Sequence, residues 1–319
     1  MLRLVISNQT NPYWNVAVEN YLLSLPETNC VTMYLWKNHR TVVIGQNQNP
    51  FAECNVDLLN REGGYVMRRS TGGGAVYHDD GNINFSFIAP HALYDQSRQF
   101  EVIRQAVAQY GLNAELSGRN DLLCEGRKFS GNAFSKSKFQ NLHHGTILIK
   151  GNMDDLKRYL RVRPAKLQKH GVQSVQSRVV NLSELAEVTS LNIVPHLVGA
   201  FENVYGEKSF MLDFDQMISR DEVRDLYNKF SSDAWLYGRW RTFSAQKSAQ
   251  FEWGGVDLAL DIDEERSVIR NVTMATDCLS TDVVNRIESL LRNASTIHAP
   301  EIPEGSQKAI IEDIFSLIY

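Results

Sequence analysis

The chain has 319 residues, 43% of them hydrophobic and 22% charged, a balance typical of a globular protein with a substantial core. The formal net charge of −4 at pH 7 and the pI near 6.1 argue against a general nucleic-acid binder, which carries a basic surface. No stretch approaches the ~20 apolar residues of a membrane helix, so a membrane partner is not expected either. The four cysteines are scattered without a Cys-x-x-Cys pair, so neither a disulfide framework nor a metal site is predicted.

The N-terminal third predicts short helices and strands in mixed order. Asn11 is a good helix cap and Pro12 suits the first helical position, and the helix that they begin is predicted to end before Pro26. Further along, periodicity predicts strands at 31–36 and 41–44, a polar loop at 45–50, and helices at 56–61 and 97–110.

The most informative stretch is residues 68–79, which read Arg-Arg-Ser-Thr-Gly-Gly-Gly-Ala-Val-Tyr-His-Asp. A strand is predicted before it at 64–67, and strands at 75–78 and 83–87 are predicted to form a hairpin across Asp80-Gly81-Asn82. Glycine lets the backbone approach a ligand, and the arginine donor fork fits carboxylate or phosphate. The stretch therefore predicts a site for an anion that carries both a phosphate and an acyl group.

Simpler interpretations of this stretch are a flexible turn with two solvated charges, a P-loop or a dinucleotide fingerprint. The P-loop is excluded because no Gly-Lys-Ser/Thr opens a helix. The dinucleotide fingerprint is excluded because a strand follows the glycines where a helix should begin. This stretch alone does not exclude a flexible turn, but two segments downstream decide against it.

Those segments are Gly-Arg-Lys-Phe-Ser-Gly-Asn-Ala at 126–133, preceded by Gly-Arg-Asn-Asp at 118–121, and His-His-Gly-Thr at 143–146. With them the chain resembles the lipoate–protein ligase A family. The family signature is Arg-Arg-x-x-Gly-Gly-Gly-x-Val-Tyr/Phe-His-Asp, then Lys-x-x-Gly-x-Ala, then His-His-Gly-Thr, in that order. The resemblance covers roughly residues 1–240 and more weakly the rest, and is greatest to the mitochondrial lipoyltransferases of animals.

The resemblance implies an acyltransferase that moves the lipoyl group from lipoyl-AMP to a lysine of lipoyl-domain acceptor proteins. The expected acceptors are the H-protein of glycine cleavage and the acyltransferase subunits of 2-oxo-acid dehydrogenases. No tightly bound cofactor is expected, because lipoyl-AMP is a substrate, and ATP and Mg²⁺ are needed only if the protein activates lipoate itself. The expected location is the mitochondrial matrix, in a processed form without a transit peptide.

The same resemblance assigns the site residues. Lys128 is the predicted catalytic residue, whose amine neutralises charge that develops on the acyl carbonyl and phosphate oxygens. The predicted adenylate and phosphate contacts are Arg69, Thr71, Gly72, Gly73, Gly74, Asn120, Asp121, Lys128, Thr146 and Arg178. The predicted lipoyl pocket consists of Val16, Val18, Glu19, Val43, Val76, His78, Ala133 and His144.

The remaining elements predict an α+β fold. Short strands are expected within 112–150, helices at 153–161, 182–187, 194–205 and 220–230, and a mobile loop at 169–178. Strands at 250–262 and 267–275 and helices at 281–292 and 306–318 follow. We therefore expect a large acyl-adenylate-binding domain with a mixed or antiparallel sheet at 1–240, and a smaller α+β C-terminal domain at 248–319.

Four alternatives remain open from the sequence. The first is a complete ATP-dependent ligase; Ser135, where bacterial ligases tend to carry arginine, argues against handling the outer phosphates of ATP. The second is a transferase that moves lipoyl or octanoyl groups between lipoyl domains. The third is an octanoyltransferase or biotin ligase of related fold, although such octanoyltransferases use a cysteine nucleophile and this chain has the lysine motif. The fourth is a non-catalytic protein that binds adenylate or lipoyl domains.

Overall fold

The computed structural model describes residues 1–26, 29–118, 120–161, 179–238, 245–263, 265–278 and 280–319. The predicted loop at 169–178, including Arg178, and most of the connector after residue 238 lie outside the described residues. The helices are α1 (Pro12–Ser24), α2 (Pro50–Glu53), α3 (Val56–Arg61), α4 (Gln96–Ala108), α5 (Met153–Tyr159), α6 (Ile193–Tyr205), α7 (Phe214–Ile218), α8 (Asp221–Ser231), α9 (Asp233–Leu236), α10 (Asp282–Leu291) and α11 (Lys308–Phe315).

The strands are β1 (Leu2–Ile6), β2 (Val31–Trp36), β3 (Thr41–Ile44), β4 (Tyr65–Arg68), β5 (Val76–His78), β6 (Asn82–Pro90), β7 (Ala114–Ser117), β8 (Asp121–Cys124), β9 (Arg127–Lys136), β10 (Gln140–Leu148), β11 (Ser209–Leu212), β12 (Ala245–Phe251), β13 (Gly254–Asp263) and β14 (Val268–Thr276). Short 3₁₀ turns cover His91–Leu93 and Leu182–Glu184. The predicted elements are largely confirmed, whereas β11, β12 and the short helices α2, α7 and α9 were not predicted. The single strand predicted at 250–262 is the end of β12 followed by β13, and the helix predicted at 182–187 is a short 3₁₀ turn.

The main sheet has eight strands in the order β11-β1-β2-β6-β10-β9-β8-β7. It is mixed, because β1 runs parallel to β2 and β11 while the other neighbours are antiparallel. Successive side chains of a strand point to opposite faces, and on β2 Met33 and Leu35 join one buried cluster while Tyr34 and Trp36 join the other. The sheet is therefore buried on both faces, and the predicted α+β class is confirmed.

Helices cover each face of this sheet. Helices α4 and α6 pack on one face, and α1 packs with α7 and α8 on the other. Helix α1 begins as predicted, since the side chain of Asn11 accepts a hydrogen bond from the amide of Tyr13 and Pro12 follows. This placement brings one side of α1 to the cavity described below.

A smaller three-stranded sheet, β4-β3-β5, carries the glycine-rich stretch between β4 and β5. The predicted hairpin is wrong: β5 pairs with β3, whereas β6 lies between β2 and β10 in the main sheet. The turn is held from outside, because the carbonyl of Gly81 accepts the amides of Ile149 and Lys150 at 2.9 Å each. The chain therefore passes from one sheet to the other at this turn.

The C-terminal unit consists of the antiparallel sheet β12-β13-β14 covered by α10 and α11, with its own buried cluster. It contacts the larger part of the chain through backbone hydrogen bonds, from Thr276 N to Asn47 O (3.1 Å) and from Gly73 N to Cys278 O (3.2 Å). A smaller C-terminal domain is thus confirmed, and its predicted limits at 240 and 248 stay predictions. In the described part of the chain, no helix has the length and apolar character needed to cross a bilayer.

Candidate active site

A cavity of about 270 Å³ lies between the small sheet and strands β9 and β10 of the main sheet, with α1 at one side. Seven of the predicted adenylate and phosphate contacts line it: Arg69, Gly72, Gly73, Gly74, Asn120, Lys128 and Thr146. Seven of the predicted lipoyl-pocket residues also line it: Val16, Glu19, Val43, Val76, His78, Ala133 and His144. The structure thus brings together fourteen of the predicted site residues, which are up to 130 positions apart in the chain.

The side chains at one end of the cavity are partly exposed to solvent, and those at the other end are buried. Val76 is 38% exposed and the Lys128 side chain 37%, whereas Val16, Glu19 and His78 are at most 4% exposed. We call the end beside Val76 and Lys128 the mouth, and the end beside Glu19 and His78 the closed end. A ligand would therefore present one end to solvent and bury the other.

Arg69 organises the glycine-rich loop from within. Its guanidinium donates to the carbonyl oxygens of Gly72 (2.8 Å), Gly74 (2.8 Å) and Val43 (3.3 Å), and to Thr71 Oγ1 (3.1 Å). Burial lowers the pKa of Arg69 to about 10, so it stays charged at neutral pH. Four of its five N–H bonds are used in this way, so Arg69 acts mainly by shaping the loop, where the sequence predicted a phosphate contact.

The middle glycine of the loop, Gly73, is held by backbone contacts. Gly73 has φ of 98°, a conformation that favours glycine, and its amide is already bonded to the carbonyl of Cys278. A Cβ on Gly45 would meet Gly73 O at 2.3 Å, so two backbone segments are in close contact here. Gly73 was predicted as an adenylate and phosphate contact, but its N–H already has a partner and is not free to bind a phosphate.

Arg68, next to Arg69, does not line the cavity. Its guanidinium donates to the carbonyls of Gln46 (2.9 Å), Gln48 (2.7 Å) and Leu236 (2.6 Å) and is 2% exposed. The side chain joins the loop after β3 to the end of α9. Of the two adjacent arginines, one supports the loop at the cavity and the other supports the fold behind it.

Lys128 lies at the mouth, and its ammonium forms an ion pair with Asp121 Oδ1 at 2.7 Å. The strand β8 carries Asp121 and its neighbour β9 carries Lys128 and Gly131, with Asp121 opposite Gly131. Asp121 does not line the cavity; it holds the lysine that does. The position of Lys128 at the mouth, beside the glycine-rich loop, is that of a cation available to a ligand anion.

At the closed end, a buried chain of hydrogen bonds surrounds His144. Its Nδ1 lies 2.8 Å from Glu19 Oε1, and its Nε2 lies 2.9 Å from Thr71 Oγ1. Ser86 also donates to Glu19 Oε1 (2.6 Å), because its own oxygen accepts from the indole N–H of Trp36 (3.0 Å). Thr71 therefore stands behind the cavity wall and orients His144.

Among the described residues, three of the predicted site residues do not line the cavity: Thr71, Asp121 and Val18. Val18 is fully buried but packs in the core around α1, because a helix turns 100° per residue and places it about 200° from Val16. Arg178 lies outside the described residues.

Seven residues line the cavity that the sequence did not predict: Trp36, Met67, Ala75, Asn84, Gly131, Asn132 and Gly145. The family motifs contain Ala75, Gly131, Asn132 and Gly145, so their positions carried a usable signal, whereas Asn84 carried none.

Comparison with known proteins identifies the family. Residues 11–202 match the lipoyl protein ligase A/B catalytic domain, and residues 241–318 match the bacterial lipoate protein ligase C-terminus. The chain belongs to the lipoate–protein ligase family. It is 34% identical over 298 residues to lipoate-protein ligase A of Psychrobacter cryohalolentis, which covers 91% of this chain and 87% of that protein. It is 36% identical over 298 residues to the enzyme of the same name in Bdellovibrio bacteriovorus, with the same coverage.

Solved structures support the same assignment. LipL1 of P. falciparum in complex with lipoate superposes with a TM-score of 0.81 at 25% identity, over 99% of this chain and 98% of that one. The bipartite lipoate protein ligase of Thermoplasma acidophilum, solved with its E2 lipoyl domain, gives a TM-score of 0.65 at 25% identity over 76% and 98%. The chain is therefore an enzyme of the lipoate–protein ligase family. The predicted likeness to animal enzymes and the mitochondrial location stay predictions.

The lipoate–protein ligase motifs meet at the cavity from three parts of the fold. The glycine-rich motif links β4 to β5, the lysine motif lies on β9, and the His-His-Gly-Thr motif lies on β10. Because β9 and β10 are neighbours, Ala133 is paired with His144 and Asn132 with Gly145. Within the parts of the chain that the structure describes, no group of three or more His, Cys, Asp or Glu side chains is placed to hold a metal ion.

Proposed function

We propose that this enzyme transfers the lipoyl group from lipoyl-AMP to a specific lysine of lipoyl-domain acceptor proteins. One observation supports this proposal best: Lys128 and the glycine-rich loop line the same cavity, and the interior of that cavity is buried and partly apolar. Two similar proteins, one solved in complex with lipoate and one solved with its E2 lipoyl domain, support a lipoyl substrate and this class of acceptor. The H-protein and the acyltransferase subunits of 2-oxo-acid dehydrogenases are the acceptors that we propose.

The adenylate would occupy the mouth and the acyl chain the interior. Val16 and Val43 are at most 2% exposed and Met67 is 1% exposed, so they offer an apolar wall to a hydrocarbon chain. Burial of about 0.8 kcal/mol per CH₂ over the acyl chain supplies roughly 5 kcal/mol. That is a large part of the ~8 kcal/mol of a micromolar complex.

In the transfer step, the acceptor amine attacks the acyl carbon of the mixed anhydride. The new C–N bond forms, the bond from the acyl carbon to the phosphate oxygen breaks, and AMP leaves with the electron pair. One amine proton passes to solvent at the mouth. The ammonium of Lys128, held by Asp121 at 2.7 Å, is placed to neutralise the charge on the carbonyl and phosphate oxygens.

A second candidate is a complete ligase that also forms lipoyl-AMP from lipoate and ATP. It is favoured by 34% identity over 91% of the chain to a protein named lipoate-protein ligase A. The position of Ser135 weakens the argument that it disfavours ATP use. Ser135 lies on β9 seven residues beyond Lys128, roughly 23 Å along the strand, and does not line the cavity.

The deciding experiment is mass spectrometry of an apo lipoyl domain after incubation with the enzyme. Lipoyl-AMP alone supports the proposed transfer if it adds one lipoyl mass to the acceptor lysine. Lipoate with ATP and Mg²⁺ tests the complete ligase, and a lipoylated H-protein as donor tests transfer between lipoyl domains. Failure with lipoyl-AMP while a lipoylated donor works would reject lipoyl-AMP as the donor.

The variant Lys128→Ala tests the mechanism. We expect a fall in transfer of about 10²–10³, as when a single transition-state donor is removed. Lys136→Ala is the matched control, because Lys136 is an exposed lysine on the same strand outside the cavity. Transfer by Lys128→Ala within threefold of the control would remove Lys128 from the mechanism.

A further inference from the structure

The closed end of the cavity is polar, although an acyl chain is expected there. Three buried atoms of cavity-lining residues have no hydrogen-bond partner among the described residues: His78 Nε2, Asn84 Nδ2 and Glu19 Oε2. Their residues are 4%, 1% and 1% exposed. A buried polar atom without a partner costs free energy, so such atoms mark a place where a ligand or water supplies the missing bond.

The orientation of His78 follows from a chain of amides. Asn15 Nδ2 donates to the carbonyl of Lys37 (2.7 Å), which can only accept, and this fixes its amide. Asn15 Nδ2 also donates to Asn38 Oδ1 (3.0 Å), so the nitrogen of Asn38 faces His78 Nδ1 at 3.3 Å. Nδ1 of His78 is therefore the acceptor.

His78 is neutral at physiological pH. Burial, with smaller contributions from the nearby Arg69 and His144, lowers the pKa of His78 to about 3. A neutral imidazole that accepts at Nδ1 carries its single proton on Nε2. The unpartnered Nε2 is thus a hydrogen-bond donor at the closed end.

Asn84 supplies a second donor. Its Oδ1 accepts from Asn82 Nδ2 (3.0 Å), which leaves the amide nitrogen without a partner in the described structure. Asn84 is on β6 and His78 on β5, so the two donors reach the cavity from different sheets. Glu19 Oε1 is held by Ser86 and His144, and its second oxygen completes the polar lining.

We propose that this closed end is a subsite for heteroatoms in the acyl tail, with His78 Nε2–H and Asn84 Nδ2–H donating to the sulfur atoms of the dithiolane ring. An all-carbon octanoyl tail would leave both donors unpaired, so the subsite favours lipoyl over octanoyl groups. The inference rests on the proposed function for the direction of the substrate, with the adenylate at the mouth. His78 lies two residues beyond Val76 on β5, roughly 7 Å deeper, where the far end of the tail would lie.

The test measures kcat/KM of the enzyme with lipoyl-AMP and with octanoyl-AMP on the same apo lipoyl domain. The near-isosteric Asn84→Asp removes the amide donor, and Asn84→Leu replaces it with an apolar group. Because sulfur is a weak acceptor, we expect each variant to lower the lipoyl-to-octanoyl ratio by about fivefold. Val43→Ala is the matched control, since it trims the apolar wall and should weaken both substrates alike.

Calorimetric binding of lipoic acid and octanoic acid provides a second readout that does not depend on transfer. A lipoyl-to-octanoyl ratio near one for the wild type would overturn the subsite. So would a lipoyl-to-octanoyl ratio that changes by less than twofold in both Asn84 variants. In either case water would satisfy the donors equally well. If the wild type failed to transfer either group but still preferred lipoic acid in calorimetry, the proposed function would fall and the subsite would be supported.

Discussion

The ammonium of Lys128 lies over Gly131, so that a Cβ on residue 131 would come within 2.8 Å of Nζ and 2.9 Å of Cε. The two residues are three positions apart and would face opposite sides of a regular strand. The register between β8 and β9 shifts there, with Leu122 opposite Ser130 and Leu123 opposite Lys128. The bulge adds one residue to β9 and brings Lys128 and Gly131 to the same side. The spacing of the Lys-x-x-Gly motif thus has a geometric reason.

Gly131→Ala should displace the lysine while the fold is kept. The clash involves the flexible end of a side chain, so the new methyl group moves the ammonium away from its place beside Asp121. We expect transfer from lipoyl-AMP to fall about 10²-fold, close to the loss of one transition-state donor. Gly199→Ala in α6 is the control, because a Cβ there meets no atom within 4 Å. Equal transfer rates in the two variants, measured by mass spectrometry, would contradict the steric account.

Asp121→Asn should reduce kcat with little effect on stability. The ion pair with Lys128 is about one-third exposed on each side, so it contributes only ~0–1 kcal/mol to folding. Its loss frees the ammonium from one orientation, and we expect kcat to fall about tenfold with the melting temperature nearly unchanged. Steady-state kinetics and thermal unfolding check this. A large fall in melting temperature with normal kcat would instead make Asp121 a structural residue.

Two buried histidines should make stability fall in mild acid. Burial, with a smaller effect of His144, lowers the pKa of His143 to about 3, and the pKa of His78 is also about 3. Between pH 6.5 and about 3 the unfolded chain binds protons that the folded chain does not, so stability falls as pH falls through this window. Each such histidine contributes up to ~1.4 kcal/mol per pH unit.

Urea unfolding at pH 7.5 and pH 5 measures this effect. His143→Gln keeps a hydrogen-bonding side chain between Gln99 and Asn132 but cannot titrate. The pH-dependent loss of stability should therefore be smaller in His143→Gln than in the wild type. Parallel losses in the two proteins would assign the acid sensitivity in this pH range to groups other than His143.

Arg68→Lys should destabilise the protein without a specific effect on transfer. The guanidinium satisfies several buried carbonyls at once, including those of Gln48 and Leu236, and a lysine amine cannot reach the same set. We expect a loss of about 3 kcal/mol in the free energy of unfolding, since buried acceptors are left without partners. Chemical denaturation gives the loss, and kinetics well below the melting temperature should give a nearly normal kcat. A selective rise in the KM for lipoyl-AMP would instead place Arg68 at the adenylate.

The sequence by itself determined what local chemistry decides. The cap of α1 at Asn11, most helices and strands, and the family motifs depend on residues a few positions apart, and the structure agrees with them. Tertiary structure decided the rest, because pairing between distant segments has no local signal. The separation of β5 from β6, the engagement of Arg69 by its own loop and the bulge that turns Lys128 toward Gly131 depend on which strand lies beside which. The unpaired donors of His78 and Asn84 likewise arise only where two sheets close around a cavity.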